Sequence, residues 1–197
     1  MTEGIVTRPA TRGDAAEIAL LVNIAVHGGI ARGWASGDEA EGTYDPIEVG
    51  RLEMLEDDTE FGWTNVTMAE TTAGEIAGML LGYRKADAFE PVPAEVTGFM
   101  RPIEELEAEA HGAWFISMLG VHVRWRGRGV GSQLLEVAEV KRDETKAHGL
   151  ALIVEDDNDG ARRLYERRGY SVRTKRPMVG FAGGGPAGRD WLLMVKD

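Results

Sequence analysis

The chain has 197 residues, 43% of them hydrophobic and 28% charged, with a formal net charge of −11 and no cysteine. That length supports one well-formed core, so a single domain over residues 1–197 is expected. The acidic balance disfavours a general nucleic-acid binder, and the lack of cysteine excludes a disulfide scaffold, a thiolate metal site and a cysteine nucleophile. No metal ligand set is expected. No apolar run reaches the roughly 18 residues of a membrane span. Met1 to Ile5 lacks the basic and apolar regions of a signal peptide, so a cytoplasmic protein away from membranes is expected.

Ile5 to Pro9 reads as a first strand. Thr11-Arg12-Gly13-Asp14 supplies turn and cap chemistry for a helix carrying Ile18, Leu21, Val22 and Ala25, which His27-Gly28-Gly29 ends. Residues 30–50, with Gly33, Gly37, Gly42, Pro46 and Gly50, read as irregular, and a short helix follows around Ile47 to Leu55. Strands over Phe61 to Glu70 and Glu75 to Arg84 flank the hairpin turn Thr71-Thr72-Ala73-Gly74. Residues 86–100 form a loop, and Pro102 to Ala110 is a helix with proline at its start and glutamates in its first turn.

Ala113 to Val123 is an apolar strand, and a helix follows from about Gly131 to His148. Leu150 to Val154 has the character of a buried strand. Asn158 to Arg168 is a helix stopped at Gly169. Tyr170 to Lys175 and Trp191 to Val195 form a closing strand pair around the glycine-rich loop Gly180 to Gly188. Neither an internal repeat nor a long linker appears.

Charge is unevenly spread. Acids cluster in Asp38-Glu39-Ala40-Glu41, in 56–60 and in Glu104 to Glu109. Bases cluster at Arg124, Arg126 and Arg128 and again from Arg162 to Arg176. One end could attract a polyanion and another a cation, although such runs are commonly solvated faces.

The chemistry concentrates in Arg126-Gly127-Arg128-Gly129-Val130-Gly131, where a buried strand runs through a glycine-rich turn into a helix. The first N–H groups of a helix lack internal partners, and its dipole favours an anion there. The glycines allow close approach, and Arg126 and Arg128 add charge with fork geometry suited to phosphate. A P-loop is excluded because Gly131-Ser132 lacks the preceding lysine. A dinucleotide fingerprint requires a third glycine where Ser132 stands, so an oxidoreductase is a minor alternative. On spacing alone, an ordinary strand–helix turn with solvent-facing arginines is an equal reading.

The segment Met118 to Leu135 resembles the central motif of the GNAT superfamily of N-acetyltransferases, whose Gln/Arg-x-x-Gly-x-Gly/Ala pattern falls on Arg126, Gly129 and Gly131. Asn158 to Tyr170 resembles the same family's Asn-x-x-Ala-x-x-Leu-Tyr-x-x-x-Gly-Phe/Tyr stretch. The proline that many relatives carry after the strand is absent at Val123-Arg124.

This resemblance implies an α/β fold: a mixed sheet with splayed middle strands and helices on both faces. It implies acetyl-CoA as co-substrate. Backbone groups of Val121 and Val123 would bind the pantetheine arm. Arg126, Gly127, Arg128, Gly129, Val130, Gly131 and Ser132 would hold the pyrophosphate, with the N–H groups of Arg128 to Ser132 facing it. Asn158 would contact the cofactor through its amide, and Tyr165 would protonate the leaving thiolate. The expected acceptor is a primary amine of a small molecule, cationic if the acidic N-terminal half guides it. A peptide amine is the other acceptor class, and a homodimer is the default assembly.

An ammonium with a pKa of roughly 10.4 must lose a proton before it attacks. Glu70, Glu109, His122 and Glu155 are the base candidates, each at or near a strand end. Trp34, Tyr44, Trp63 and Trp114 are aromatic candidates for an acceptor pocket, or ordinary core residues. Segments 27–60 and 86–112 are the expected acceptor side. A non-catalytic acyl-CoA-binding regulator is the alternative to an enzyme.

Overall fold

A computed structural model describes residues 4–36, 45–57, 59–180 and 188–197. The acidic run from Asp38, the aromatic Tyr44 and residues 181–187 of the glycine-rich loop lie outside the described residues. Among the described residues, seven strands are hydrogen-bonded in the order β1-β2-β3-β4-β5-β7-β6, and helices flank this mixed α/β sheet. Among the described residues, no single helix is long and apolar enough to cross a membrane.

The fold divides into two compact units, each built from two stretches of chain. The first comprises 1–82 and 118–136. Its strand β1 (Ile5–Pro9) pairs antiparallel with β2 (Val66–Thr71), which pairs antiparallel with β3 (Ile76–Arg84). At the β2–β3 turn, the buried Thr71 hydroxyl accepts from the N–H groups of Ala73 and Glu75, and Gly74 takes a φ of 86°.

Helix α1 (Ala15–Ala25) buries Ile18, Ala19, Leu21 and Val22, the i, i+3, i+4 face that its periodicity predicts. At the turn before it, the Asp14 carboxylate accepts from the Thr11 N–H at 2.7 Å and from the Thr11 hydroxyl at 2.8 Å. His27 and Gly28, at φ 53° and 81°, end it. The irregular stretch expected from residue 30 is instead opened by a helix, α2 (Gly29–Ser36). Its start is capped from α1, where the Asn23 side chain accepts from the Ala31 N–H at 3.2 Å. Helix α3 (Pro46–Met54) starts at the Asp45 cap, whose carboxylate accepts from the Ile47 N–H.

Strand β2 begins five residues later than the sequence predicts. The intervening Trp63–Asn65 is a 3-10 turn, and the Asn65 amide ties it back to the carbonyls of Thr59 and Glu60.

The second unit comprises 83–117 and 137–197. Strand β4 (Trp114–Val121) pairs in parallel with β5 (Leu150–Glu155) over Trp114↔Leu150 to Ile116↔Leu152. β7 (Asp190–Lys196) lies antiparallel between β5 and β6 (Ser171–Pro177). Helix α4 (Met100–Ala108) starts two residues before the predicted position, with Pro102 inside its first turn. Its Leu106, with Ala110, packs against Phe115, Ala151 and Leu193. Helix α6 (Asp159–Arg167) ends at Gly169, which takes a φ of 89°.

Three elements run from one unit into the other: β3 at Gly82, β4 at Ser117 and the long helix α5 (Val130–Thr145) at Glu136.

Candidate functional site

In the first unit, β4 ends at Val121 and leads through a 3-10 turn, Val123–Trp125, into the arginine–glycine loop. The His122 N–H donates to Ala77 on β3 at 3.0 Å. Successive peptide groups of a strand point to opposite edges, so those of Val121 face the edge away from β3. Val123 is 73% exposed. Trp125 is buried, and its indole N–H donates to Glu75 at 2.7 Å; the same carboxylate oxygen pairs with Arg124. This buried anchor fixes where the loop leaves the strand.

The loop then turns through Gly127 and Gly129, at φ 73° and 88°, where a side chain would be strained. A Cβ at either glycine would meet nothing within 4 Å, so the loop's outer surface is open to a ligand. Val130 is buried and seats the first turn of α5. The Gln133 N–H donates to the Gly129 carbonyl at 3.1 Å. Ahead of that bond stand the N–H groups of Val130, Gly131 and Ser132, the orphan donors of a helix start. The Arg128 guanidinium lies 5.0 Å over the Trp125 ring, a cation–π contact. Arg126 points elsewhere: its Nε donates to the Val121 carbonyl at 3.1 Å.

In the second unit, Asn158 caps α6, its side-chain oxygen accepting from the Ala161 N–H at 3.2 Å. Its amide nitrogen stands 3.5 Å from the Glu155 carboxylate. Tyr165 is 8% exposed, its ring 5.8 Å from that of Tyr170. Burial pushes the Tyr165 phenol well above its ordinary range, and the charge of Glu155 pushes the same way.

The four base candidates separate by their partners. Glu70 accepts from Arg8 at 2.8 Å, and Glu109 is bonded to Arg176, so an amine reaching either must first break a guanidinium pair. His122 Nε2 stands 2.5 Å from Glu17 on α1. Glu155 ends β5 and stands 3.5 Å from the Asn158 amide nitrogen.

Two of the acceptor-pocket aromatics are core instead. Trp34 and Trp114 are each 4% exposed, and the Trp34 indole donates to Glu53 at 2.7 Å. Trp63 is half-buried, with its indole 3.3 Å from Asp57.

The acidic run of α4 is also not a free cation-attracting face. Glu105 pairs with Arg101 and Arg176, and Glu107 accepts from Tyr83 and Lys85. Beside this network lies a groove of about 520 Å³, lined by residues of 94–98, α4 and the end of β6. It falls in the 86–112 segment expected on the acceptor side. The sequence signal for it was the clustering of opposite charges in 104–109 and 173–176. Among the described residues, no group of His, Cys, Asp or Glu is placed to hold a metal ion.

The profile of the acetyltransferase (GNAT) family matches residues 31–170. A crystal structure described as an acetyltransferase superposes with a TM-score of 0.64 at 22% identity, over 98% of this chain and 98% of its own. The N-acetyltransferase from Staphylococcus aureus Mu50 gives 0.61 at 14% identity, over 96% and 99%. The NatC complex bound to a Gag peptide and CoA gives 0.56 at 17% identity, over 97% and 96%. At these identities, the likeness speaks for the fold.

Proposed function

The chain belongs to the acetyltransferase (GNAT) family and is therefore an acyltransferase; from that premise we propose that it moves the acetyl group of acetyl-CoA to a primary amine of a small molecule. The observation that carries this reading is the loop. It combines two positive-φ glycines with open space above them, a helix start, and two arginines. Such a surface suits a pyrophosphate. Val121 and Val123 offer backbone groups to the amides of the pantetheine arm, and Asn158 offers its side-chain amide.

The amine nitrogen attacks the thioester carbonyl directly. The C–N bond forms, the C–S bond breaks, and the sulfur leaves as thiolate. The amine loses one proton to water or to a carboxylate, for which Glu155, 3.5 Å from the Asn158 amide, is our candidate. Tyr165 stays protonated because its phenol is pushed up. Full transfer of its proton to sulfur is correspondingly harder, so its role is to donate a hydrogen bond to the charge growing on the leaving thiolate. Solvent then completes the protonation.

Tyr165→Phe removes that donor alone. The expected result is a fall in kcat of about 10- to 100-fold with acetyl-CoA affinity unchanged. Equal losses in kcat and affinity would make Tyr165 a packing residue instead. Its high-pH limb should also lie above the ordinary phenol range of roughly 10. The acceptor class is decided by thiol release from acetyl-CoA across amines, amino acids, polyamines and peptides. Turnover confined to peptides would replace that acceptor while leaving the acyl transfer intact.

A further inference from the structure

Arg126 does not face outward with the rest of the loop. It reaches back five residues, and its Nε lies 3.1 Å from the Val121 carbonyl. That carbonyl is on the edge of β4 away from β3, because the adjacent His122 N–H is committed to Ala77 on β3. An extended amide-bearing ligand lying along this edge would use the same acceptor. A carbonyl oxygen has a second lone pair. Even so, a guanidinium bonded to this carbonyl competes with a ligand amide for the same acceptor.

Among the described residues, no other side-chain bond holds Arg126 there. It is exposed, and its bond is to a neutral acceptor. A phosphate is a stronger partner for a guanidinium, since two charge-assisted bonds replace one. The neighbouring Arg128 is already engaged on the Trp125 ring. The two arginines therefore differ: one is parked on an aromatic face, the other on the strand edge that the pantetheine arm needs.

We infer that Arg126 is a displaceable latch on the edge of β4, released by the pyrophosphate of the donor, so that the site discriminates against thioesters lacking the nucleotide end. This rests on the reading of the loop and β4 edge as the acetyl-CoA site. The pyrophosphate draws Arg126 off Val121, and the freed carbonyl then accepts from the pantetheine amide. The nucleotide end thus contributes twice, once by its own contacts and once by uncovering the strand.

The test is binding, which needs no knowledge of the acceptor. CoA and pantetheine are titrated into the wild-type chain and into Arg126→Ala, and affinities are read by calorimetry or ligand-observed NMR. Removing the latch and the phosphate contact together has opposite effects on the two ligands. CoA should bind about tenfold more weakly, and pantetheine about three- to tenfold more tightly. Inorganic pyrophosphate should tighten pantetheine binding to the wild type and leave the variant unmoved. Arg126 is exposed, so the substitution leaves the core intact. Pantetheine binding that is unchanged or weaker in Arg126→Ala overturns the latch and leaves a simple phosphate-binding arginine. Failure of CoA to bind the wild type at all would sink the reading of the loop itself, and the latch with it.

Discussion

Arg8 shows how single residues in this chain are committed over long range. Its guanidinium pairs with both oxygens of Asp14 and, through Nε, with Glu70. The bond from Arg8 is the main reason that Asp14 is lowered from 3.8 to about 2, with help from Thr11 against the cost of burial. A carboxylate lowered on folding stabilises the native state above its unfolded pKa, and this is lost as pH falls through its folded pKa. Asp14→Asn should therefore cost about 1–2 kcal/mol at neutral pH, and the gap to wild type should close between about pH 4 and pH 2. Urea unfolding across that range is the measurement; a gap independent of pH would assign the loss to the helix cap instead.

The same scale shows what the sequence could not reveal. Glu70 and Glu109 were legible as acids near strand ends, but their arginine partners lie 62 and 67 positions away. Gly127, Gly129 and Ser132 were legible, because a turn's needs and a failed dinucleotide spacing are local facts. The bend of Arg126 onto Val121 was not, since nothing in the spacing says which way an exposed side chain folds.

At the level of elements, the segments with strong period came through. Helices α1, α5 and α6 and strands β1, β3 and β5 lie within a few residues of their predicted places. Helix α2 escaped because its cap, Asn23, belongs to the preceding helix and its own sequence carries Gly29 and Gly33. A close backbone approach just before the loop is between α1 and β4. A Cβ on Gly120 would stand 2.5 Å from the Leu21 carbonyl oxygen and 3.1 Å from its carbon, both backbone atoms. Neither element can yield cheaply. Gly120→Ala should cost about 1–3 kcal/mol and displace the end of β4, weakening acetyl-CoA binding as well as stability. Chemical denaturation with a parallel CoA titration checks both; a stable variant with weakened binding would locate the change in the loop alone.

For the molecule as a whole, the two units are interleaved in sequence. The first needs Met118–Glu136, which lies beyond the break at Gly82. A fragment of residues 1–82 therefore lacks the second stretch of its own unit, including Gly120 and the buried Trp125. It should show no cooperative unfolding and little amide dispersion by NMR, whereas a sharp transition would mean that β1–β3 and α1–α3 suffice. The family match begins at residue 31, yet Ile18, Leu21 and Val22 before it are fully buried. The N-terminal stretch is part of the fold's interior, as its periodicity predicted.

The arginine stacked on Trp125 also has an optical consequence. A cation over an indole alters its excited state, and here that cation belongs to the loop read as the donor's cradle. When a polyphosphate ligand draws Arg128 from the ring, the emission of Trp125 should change in colour and yield. Replacing that tryptophan by phenylalanine should silence the change. The chain thus carries its own fluorophore for following occupancy of the loop, without a dye and without an acceptor.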